Sequence, residues 1–319
     1  METLYIVGNG FDLHHDLPTT YVGFSEYLKS KNPSIFDILA HVISYPITDN
    51  DLWSRFEENL SLIDISYLED HISEYIPCPS SDDYDRDMDA CVLEAQRLVG
   101  YLTHELRNEF AEYIRKADSY QVDTDFLLNL DLDAFFISFN FTRTLEKQYG
   151  VSAENILYMH GTYDDKENIV LGHAVDPSIF IEEQDDQSPP EGLTSEQLEQ
   201  WYEEMSNQYV PFLDEAREEL FSYYGRSFKN ASEIIETNSS TFNRLGEVRH
   251  IFTLGHSMSD VDIEYFEVIK EHASQHCQWN VSYYGEEEKA KIEDILLGLG
   301  ISEQNYTLIE LTSLLSKPE

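Results

Sequence analysis

The stretch Leu4-Tyr5-Ile6-Val7-Gly8-Asn9-Gly10-Phe11-Asp12 decides the fold. Four apolar residues run without interruption into a glycine turn, as in a strand that is buried on both faces and ends at the edge of a sheet. Glycines at that place let backbone amides approach a pyrophosphate with no Cβ in the way. The dinucleotide fingerprint GxGxxG would need a further glycine at position 13, where Leu13 stands, so a plain αL turn is an equal reading. A helix is expected to follow near Tyr21.

Further apolar runs recur at 134–139, 155–160, 168–171, 250–254, 279–284 and 306–311. Most are near-continuous rather than alternating, and helical patterns lie between them. That combination implies βαβ crossovers and a mainly parallel sheet flanked by helices, a Rossmann-like α/β fold. Two blocks break the alternation. Residues 51–117 read as almost wholly helical, with Val92, Ala95, Leu98, Leu102, Leu106 and Phe110 on one face. Trp53, Phe56 and Leu60 likewise fall at helical spacing and read as core. Residues 181–245 form a second helical block; a loop is expected at 189–192 and a helix start at 194–196. The expected organisation is an α/β core from 1–50, 131–180 and 246–319, a helical insertion at 51–130 and an acidic helical insertion at 181–245.

Charge narrows the function. The chain has 319 residues, with 62 Asp and Glu against 20 Lys and Arg, a net charge of −42. Such a surface repels phosphate backbones, so direct binding to nucleic acid or an anionic membrane is not expected. Hydrophobic residues at 41%, including 21 Tyr and 17 Phe, exclude disorder and suffice for a large core. Between 181 and 220 there are 13 acidic residues and one basic residue, Arg217. That excess lies in the second block, away from the strand ends, so it need not keep a small anionic ligand out of a cleft. Cys78, Cys91 and Cys277 form no CxxC pair and no legible disulfide framework. No basic leader segment precedes the first strand, and no apolar stretch approaches about 18 residues, so a cytoplasmic location is expected.

The strand ends carry the chemistry. Asp12 follows the first glycine turn and can accept from a ribose or cap the turn, while His14 and His15 read as surface histidines. The run at 134–139 releases Asn140-Phe141-Thr142-Arg143, and the run at 155–160 releases His160-Gly161. An amide can orient a water or a carboxamide, an imidazole can take a proton, and Gly161 leaves room beside the ring. Arg143 can fork onto a phosphate or pair with a carboxylate. The run at 250–254 ends in Gly255-His256-Ser257-Met258-Ser259-Asp260-Val261-Asp262, a loop of small residues that can admit a ligand. A helix is expected from about Asp262, with Ser259 or Asp260 as its N-cap.

Taken together these segments resemble the AbiH family of bacteriophage abortive-infection proteins. The resemblance rests on LYIVGNGFDLHHDLPTTY at 4–21, LWSRFEENL at 52–60, FFISFNFTRTLEKQYG at 135–150, ILYMHG at 156–161, NIVLGH at 168–173 and FTLGHSMSDVDIEYF at 252–266. It implies a role in defence against phage, triggered by an unidentified phage or host factor. The order of motifs is also similar to a remote sirtuin-like NAD-binding layout. On that analogy NAD is the substrate, Gly8 and Gly10 face the pyrophosphate, Asn140 orients the nicotinamide or the attacking water, and His160 is the base. Gly255 and Ser257 meet the adenosine half and Asp262 does so less directly. Asn9, Phe11, Thr142, Arg143, Gly161 and His256 complete the cofactor-binding set, and Asp12 joins the catalytic one. Asn9 and Phe11-Asp12 depart from the small residues usual in sirtuins, and the zinc-binding cysteines of sirtuin deacylases are absent. The implied reaction is therefore NAD hydrolysis to nicotinamide and ADP-ribose rather than protein deacylation.

Two rivals stand beside this reading. A metal-dependent hydrolase acting on a nucleotide would gather Asp12, His14, His160, His173, His256, Asp260 and Asp262 round one ion, although no ligand spacing such as HExxH is present and no metal is assigned. A non-catalytic nucleotide-binding sensor would use the helical blocks as partner surface, and a homo-oligomer is compatible with either. Glu57 in the LWSRFEENL stretch is a candidate to reach the cleft. Arg226 and Lys229 are rare cations in an acidic region, free to meet a phosphate or to offset nearby Glu.

Overall fold

The computed structural model describes residues 2–43, 49–78, 80, 84, 89–181, 189, 192–208 and 211–316. Its centre is a six-stranded sheet of β1 (Thr3–Val7), β2 (Phe135–Ser138), β3 (Ile156–Tyr158), β4 (His250–Leu254), β5 (Gln278–Ser282) and β6 (Tyr306–Ile309). The order is β3-β2-β1-β4-β5-β6 and every pairing is parallel. Leu4 aligns with Phe135 on one side and Ile251 on the other, so β1 is the hub from which the chain first winds one way and then reverses. Ligand crevices of open α/β sheets form at the carboxyl ends of the strands flanking such a reversal, here β1 and β4.

The continuous apolar runs have the expected cause. Leu4 and Ile6 enter a core with Ile137, Ile251, Phe266 and Val281 on one face. Tyr5 and Val7 enter the opposite core with Phe136 and Leu254, where the Tyr5 ring stacks on Phe136 and Phe252. The run at 168–171 is different. It is not a strand: a 3-10 turn at Lys166–Asn168 leads into extended chain, and Val170 N–H donates to the His160 carbonyl at 3.0 Å. Ile169 and Leu171 are apolar because they enter the core of the helical layer, not because they pair in the sheet.

A second difference concerns the glycine turn. The first helix starts at once, Asn9–His14, with Gly8 in extended conformation before it, and Tyr21–Lys31 is the second helix.

The two helical blocks share one core. The helix Ala90–Gly100 continues through a π-helical turn, Tyr101–Glu105, into Leu106–Ala117, and all six residues of the expected stripe from Val92 to Phe110 are buried. The same core takes in Ala216, Leu220, Tyr223 and Tyr224 from the helix Pro211–Arg226. The Tyr223 hydroxyl donates to the Leu60 carbonyl at 2.8 Å and the Tyr224 hydroxyl to the Ile63 carbonyl at 3.0 Å, so each phenol is satisfied where it is buried. Segments far apart in sequence thus form one helical layer over the sheet. The helix Ser195–Gln208 starts where its capping pattern predicts, whereas Pro190 and Glu191 of the expected loop lie outside the described residues. No helix among the described residues is long and apolar enough to cross a membrane.

Candidate functional site

A cleft of about 1110 Å³ opens along the carboxyl ends of the strands. Gly8, Asn9, Gly10 and Asp12 line it from β1, Asn140 and Thr142 from β2, and His160 from β3. Gly255, His256, Ser257 and Asp262 line it after β4, while Ser282, Tyr284 and Glu310 extend it past β5 and β6. Phe11, Arg143 and Gly161 of the expected set do not line it.

The glycines serve first to interlock two loops. A Cβ on Gly8 would lie 2.7 Å from the His256 Cα, and one on Gly10 would lie 2.8 Å from the Gly255 Cα. Gly255 itself has φ +63° and presses against the Phe11 amide. Gly8 N–H donates to the Leu254 carbonyl at 3.0 Å and Gly10 N–H to the Gly255 carbonyl at 2.7 Å. These two amides therefore bond protein, not ligand. Phe11 is fully buried beneath the sheet.

Asp12 is 1% exposed and accepts hydrogen bonds from the hydroxyls of Thr142 at 2.6 Å and Thr144 at 2.7 Å. Burial pushes its carboxyl up to about 6; the two hydroxyls and Asn140 only partly oppose this. Asn140 is buried and its Oδ1 has no hydrogen-bond partner among the described residues. Arg143 turns away: its guanidinium bonds Glu146 and reaches Asp164 at 3.0 Å, a surface pairing and not a ligand fork. His14 lines the cleft and bonds the Phe126 carbonyl at 3.0 Å. His15 is buried, not on the surface, because its nitrogens are held between the Phe11 carbonyl at 2.6 Å and the Tyr149 hydroxyl at 2.7 Å.

At the floor lies a buried group of five ionisable residues. Lys229 has a fully buried side chain whose ammonium donates to Glu57 Oε2 at 2.8 Å and Asp262 Oδ1 at 3.0 Å. The Tyr21 hydroxyl donates to the other Glu57 oxygen at 2.9 Å. Asp262 Oδ1 lies 3.4 Å from His160 Nε2, and Asp262 Oδ2 lies 3.6 Å from His256 Nε2. The Met258 amide donates to His256 Nδ1 at 2.9 Å, so the neutral ring carries its proton on Nε2, facing Asp262. Burial, reinforced by Lys229 and opposed by Asp262, holds His160 far below the ordinary histidine range; burial brings His256 down to about 4. Burial would raise Asp262, but Lys229 and the two histidines outweigh it and hold the carboxyl at about 2. Both imidazoles are thus neutral near pH 7 beside a charged carboxylate.

The local backbone explains these placements. Asp262 stands at the N-cap position of Ile263–His272, where Ser259 or Asp260 was expected, but its side chain makes no cap bond and turns into the floor. Gly161 adopts φ +73°, and a Cβ there would lie 2.6 Å from the Asn168 carbonyl oxygen. Its role is this turn against Asn168, not space for substrate. Lys229 is fixed through a two-residue bridge: His173 N–H donates to the Ser227 carbonyl at 3.0 Å and Lys229 N–H to the His173 carbonyl at 2.7 Å. His173 is buried among Phe180, Tyr223, Tyr224 and Phe228, in the helical layer rather than in the cleft. Among the described residues no three His, Cys, Asp or Glu side chains are arranged to hold one metal ion. The gap between Glu57 and Asp262, where a cation would fit, holds the Lys229 ammonium. Thr144 and Tyr21 were missed in the sequence; FNFTRT offered Thr144 only as a second hydroxyl two residues from Thr142.

The cleft is acidic. Asp12, Glu57, Asp262, Glu287, Glu288 and Glu310 line it, and its one lining lysine or arginine among the described residues, Lys291, pairs with Glu287 at 3.0 Å. The carboxylate excess is therefore not confined to the insertion at 181–220.

No curated protein and no solved structure gives a significant match to the chain. A family profile does: the family described as "Bacteriophage abortive infection AbiH" matches residues 4–283 of 319, which takes in β1 from Leu4, β2 through β5, both helical blocks and every residue of the cleft floor. The chain belongs to the AbiH family of bacteriophage abortive-infection proteins.

Proposed function

We propose that this abortive-infection protein hydrolyses the bond between nicotinamide and ribose in NAD, lowering the cofactor supply on which an infecting phage depends. One observation carries the reading: Asn140 Oδ1 and His160 Nε2 are buried, lack hydrogen-bond partners among the described residues, and line one cleft with Asp12. Buried polar atoms in that state are costly unless a ligand or water completes them.

In the reaction, water oxygen bonds to the anomeric carbon as the carbon–nitrogen bond breaks. The bonding pair returns to the pyridinium ring, which leaves neutral, so no general acid is required. His160, neutral at pH 7, accepts the proton released by water. Asn140 orients the water or the carboxamide. Asp12 lines the same cleft and, ionised above about 6, would favour a developing oxocarbenium charge there electrostatically. The acidic lining suits a pyridinium cation. The diphosphate would have to be met at the rim, at Asn9 and Ser257, since the Gly8 and Gly10 amides are already bonded.

The test is an NAD measurement in phage-infected cells carrying wild-type or His160→Ala protein. NAD is expected to fall with wild type and to persist with the variant. Protection of the culture with NAD undiminished sinks the reading. The bonded glycine amides favour one second reading, a sensor that binds a nucleoside-type ligand without turnover; calorimetric binding of NAD without nicotinamide release would support it.

A further inference from the structure

We propose that Lys229 is a positioning residue of this cleft, whose ammonium engages Asp262 so that the carboxylate cannot capture the His160 imidazole as an ion pair. A lysine with no exposed side-chain surface is rare unless paired, and this one is paired twice. Its two carboxylates come from different parts of the fold: Glu57 from the short helix Phe56–Asn59 in the first helical block, Asp262 from the loop after β4. Asp262 Oδ1 is the shared atom, 3.0 Å from the ammonium and 3.4 Å from His160 Nε2.

The charged groups that act most strongly on His160 are Asp262, Lys229 and His256. Asp262 attracts a proton to the ring; Lys229 and His256 oppose it. The Tyr265 ring lies 5.8 Å away, and Glu57 stands one step beyond Lys229. Phe139 and Phe141 fill the remaining sides with apolar surface. Without the ammonium, Asp262 would face two imidazoles with no cation beside it, and His160 Nε2 would bind a proton instead of keeping its lone pair free. A base that is already protonated cannot accept a proton from water. The significance of the device rests on the reading of His160 as a base, but its existence can be measured without NAD.

The experiment follows the ring protons and carbons of 13C-labelled histidine by NMR across pH 5 to 8.5 in the full-length protein, with His160→Gln to assign the signal. The variant is Glu57→Gln/Lys229→Met, which removes one charge of each sign and leaves no buried carboxylate at 57. Wild-type His160, held far below the ordinary histidine range, should show no protonation step across this window, whereas the variant should bring one into it. A folded variant without that step overturns the proposal. Glu57→Gln alone keeps the pair between Lys229 and Asp262, so His160 should stay neutral through pH 6, and a raised midpoint there overturns it as well. Failure of both variants to fold would make Lys229 a tie of the fold and also overturn it. If NAD proves not to be a substrate while the midpoint shifts as expected, the reaction is wrong and the positioning role stands.

Discussion

Replacing Asp12 by asparagine should make the protein more stable relative to wild type as pH rises, against the usual loss that follows from removing a bonded carboxylate. The folded-state carboxyl sits at about 6, against an ordinary 3.8, chiefly because it is buried. Between those values the native state holds a proton that the unfolded chain has released. Stability then falls with rising pH by about 1.4 kcal/mol per unit. The whole interval of roughly two units corresponds to a burden of about 3 kcal/mol, fully present above pH 6 and absent below 3.8. The amide introduced by Asp12→Asn does not titrate. It also offers one acceptor fewer to the Thr142 and Thr144 hydroxyls, a fixed cost of about 1 kcal/mol that does not change with pH. The slope is therefore the informative quantity. Urea unfolding of both proteins from about pH 4.5 to about 7.5 should show the difference, variant minus wild type, rising by about 2 kcal/mol and levelling above pH 6. The other carboxylates cancel in that difference. A flat or falling difference would refute the claim that burial outweighs the two threonine hydroxyls.

Three further outcomes follow from the geometry. Gly255→Ala forces a left-handed φ on alanine and places its Cβ 2.0 Å from the Phe11 nitrogen, so unfolding experiments should record a loss of about 2–5 kcal/mol. Arg143→Ala removes the pairing with exposed Asp164 and largely buried Glu146; nicotinamide release should stay within about twofold of wild type, while stability should fall by about 1–3 kcal/mol because Glu146 keeps the Tyr158 hydroxyl but loses its cation. A rate profile of nicotinamide release should decline below pH 6 as Asp12 takes up its proton, with no added limb near 6.5 from His160, because burial and Lys229 keep that ring neutral. A limb that persists at the same pH in Asp12→Asn would show that another group controls it.

What could be read in the sequence depended on how locally each feature is encoded. The strands were legible because burial on both faces demands an unbroken apolar run, and Ile6, Phe136, Ile251 and Val281 supply it within a few residues. The same rule misled at 168–171, since Ile169 and Leu171 are equally apolar for a different partner, the helical layer. The helix Asn9–His14 was hidden by its length of six residues and by the glycine inside it. Asn140, His160 and Asp12 stood out as polar residues released by apolar runs, and all three line the cleft. Glu57 and Lys229 could be noticed singly but not joined, because 172 residues separate them and no periodicity links a short helix to a distant loop.

The joining of those residues shows how the two helical blocks bear on the site. Neither block merely decorates the sheet: one carries Glu57, the other carries Lys229 and part of the bridge that fixes it, and the Lys229 ammonium joins Glu57 to Asp262 after β4. Glu57 is itself pushed up by burial and by Asp262, against the opposing Lys229 ammonium and Tyr21 hydroxyl. A single cation thus offsets two buried carboxylates in a chain of net charge −42. Breaking such a pair by removing one member costs about 3–5 kcal/mol, far more than a surface pair contributes. The blocks must therefore dock correctly before Lys229 can be accommodated, and the packing of Tyr223 and Tyr224 against Leu60 and Ile63 is what brings them into register. A substitution such as Tyr223→Phe, remote from the cleft, removes one of those two ties. Its effect should reach His160 through Lys229 and Asp262, and the same histidine titration would register it.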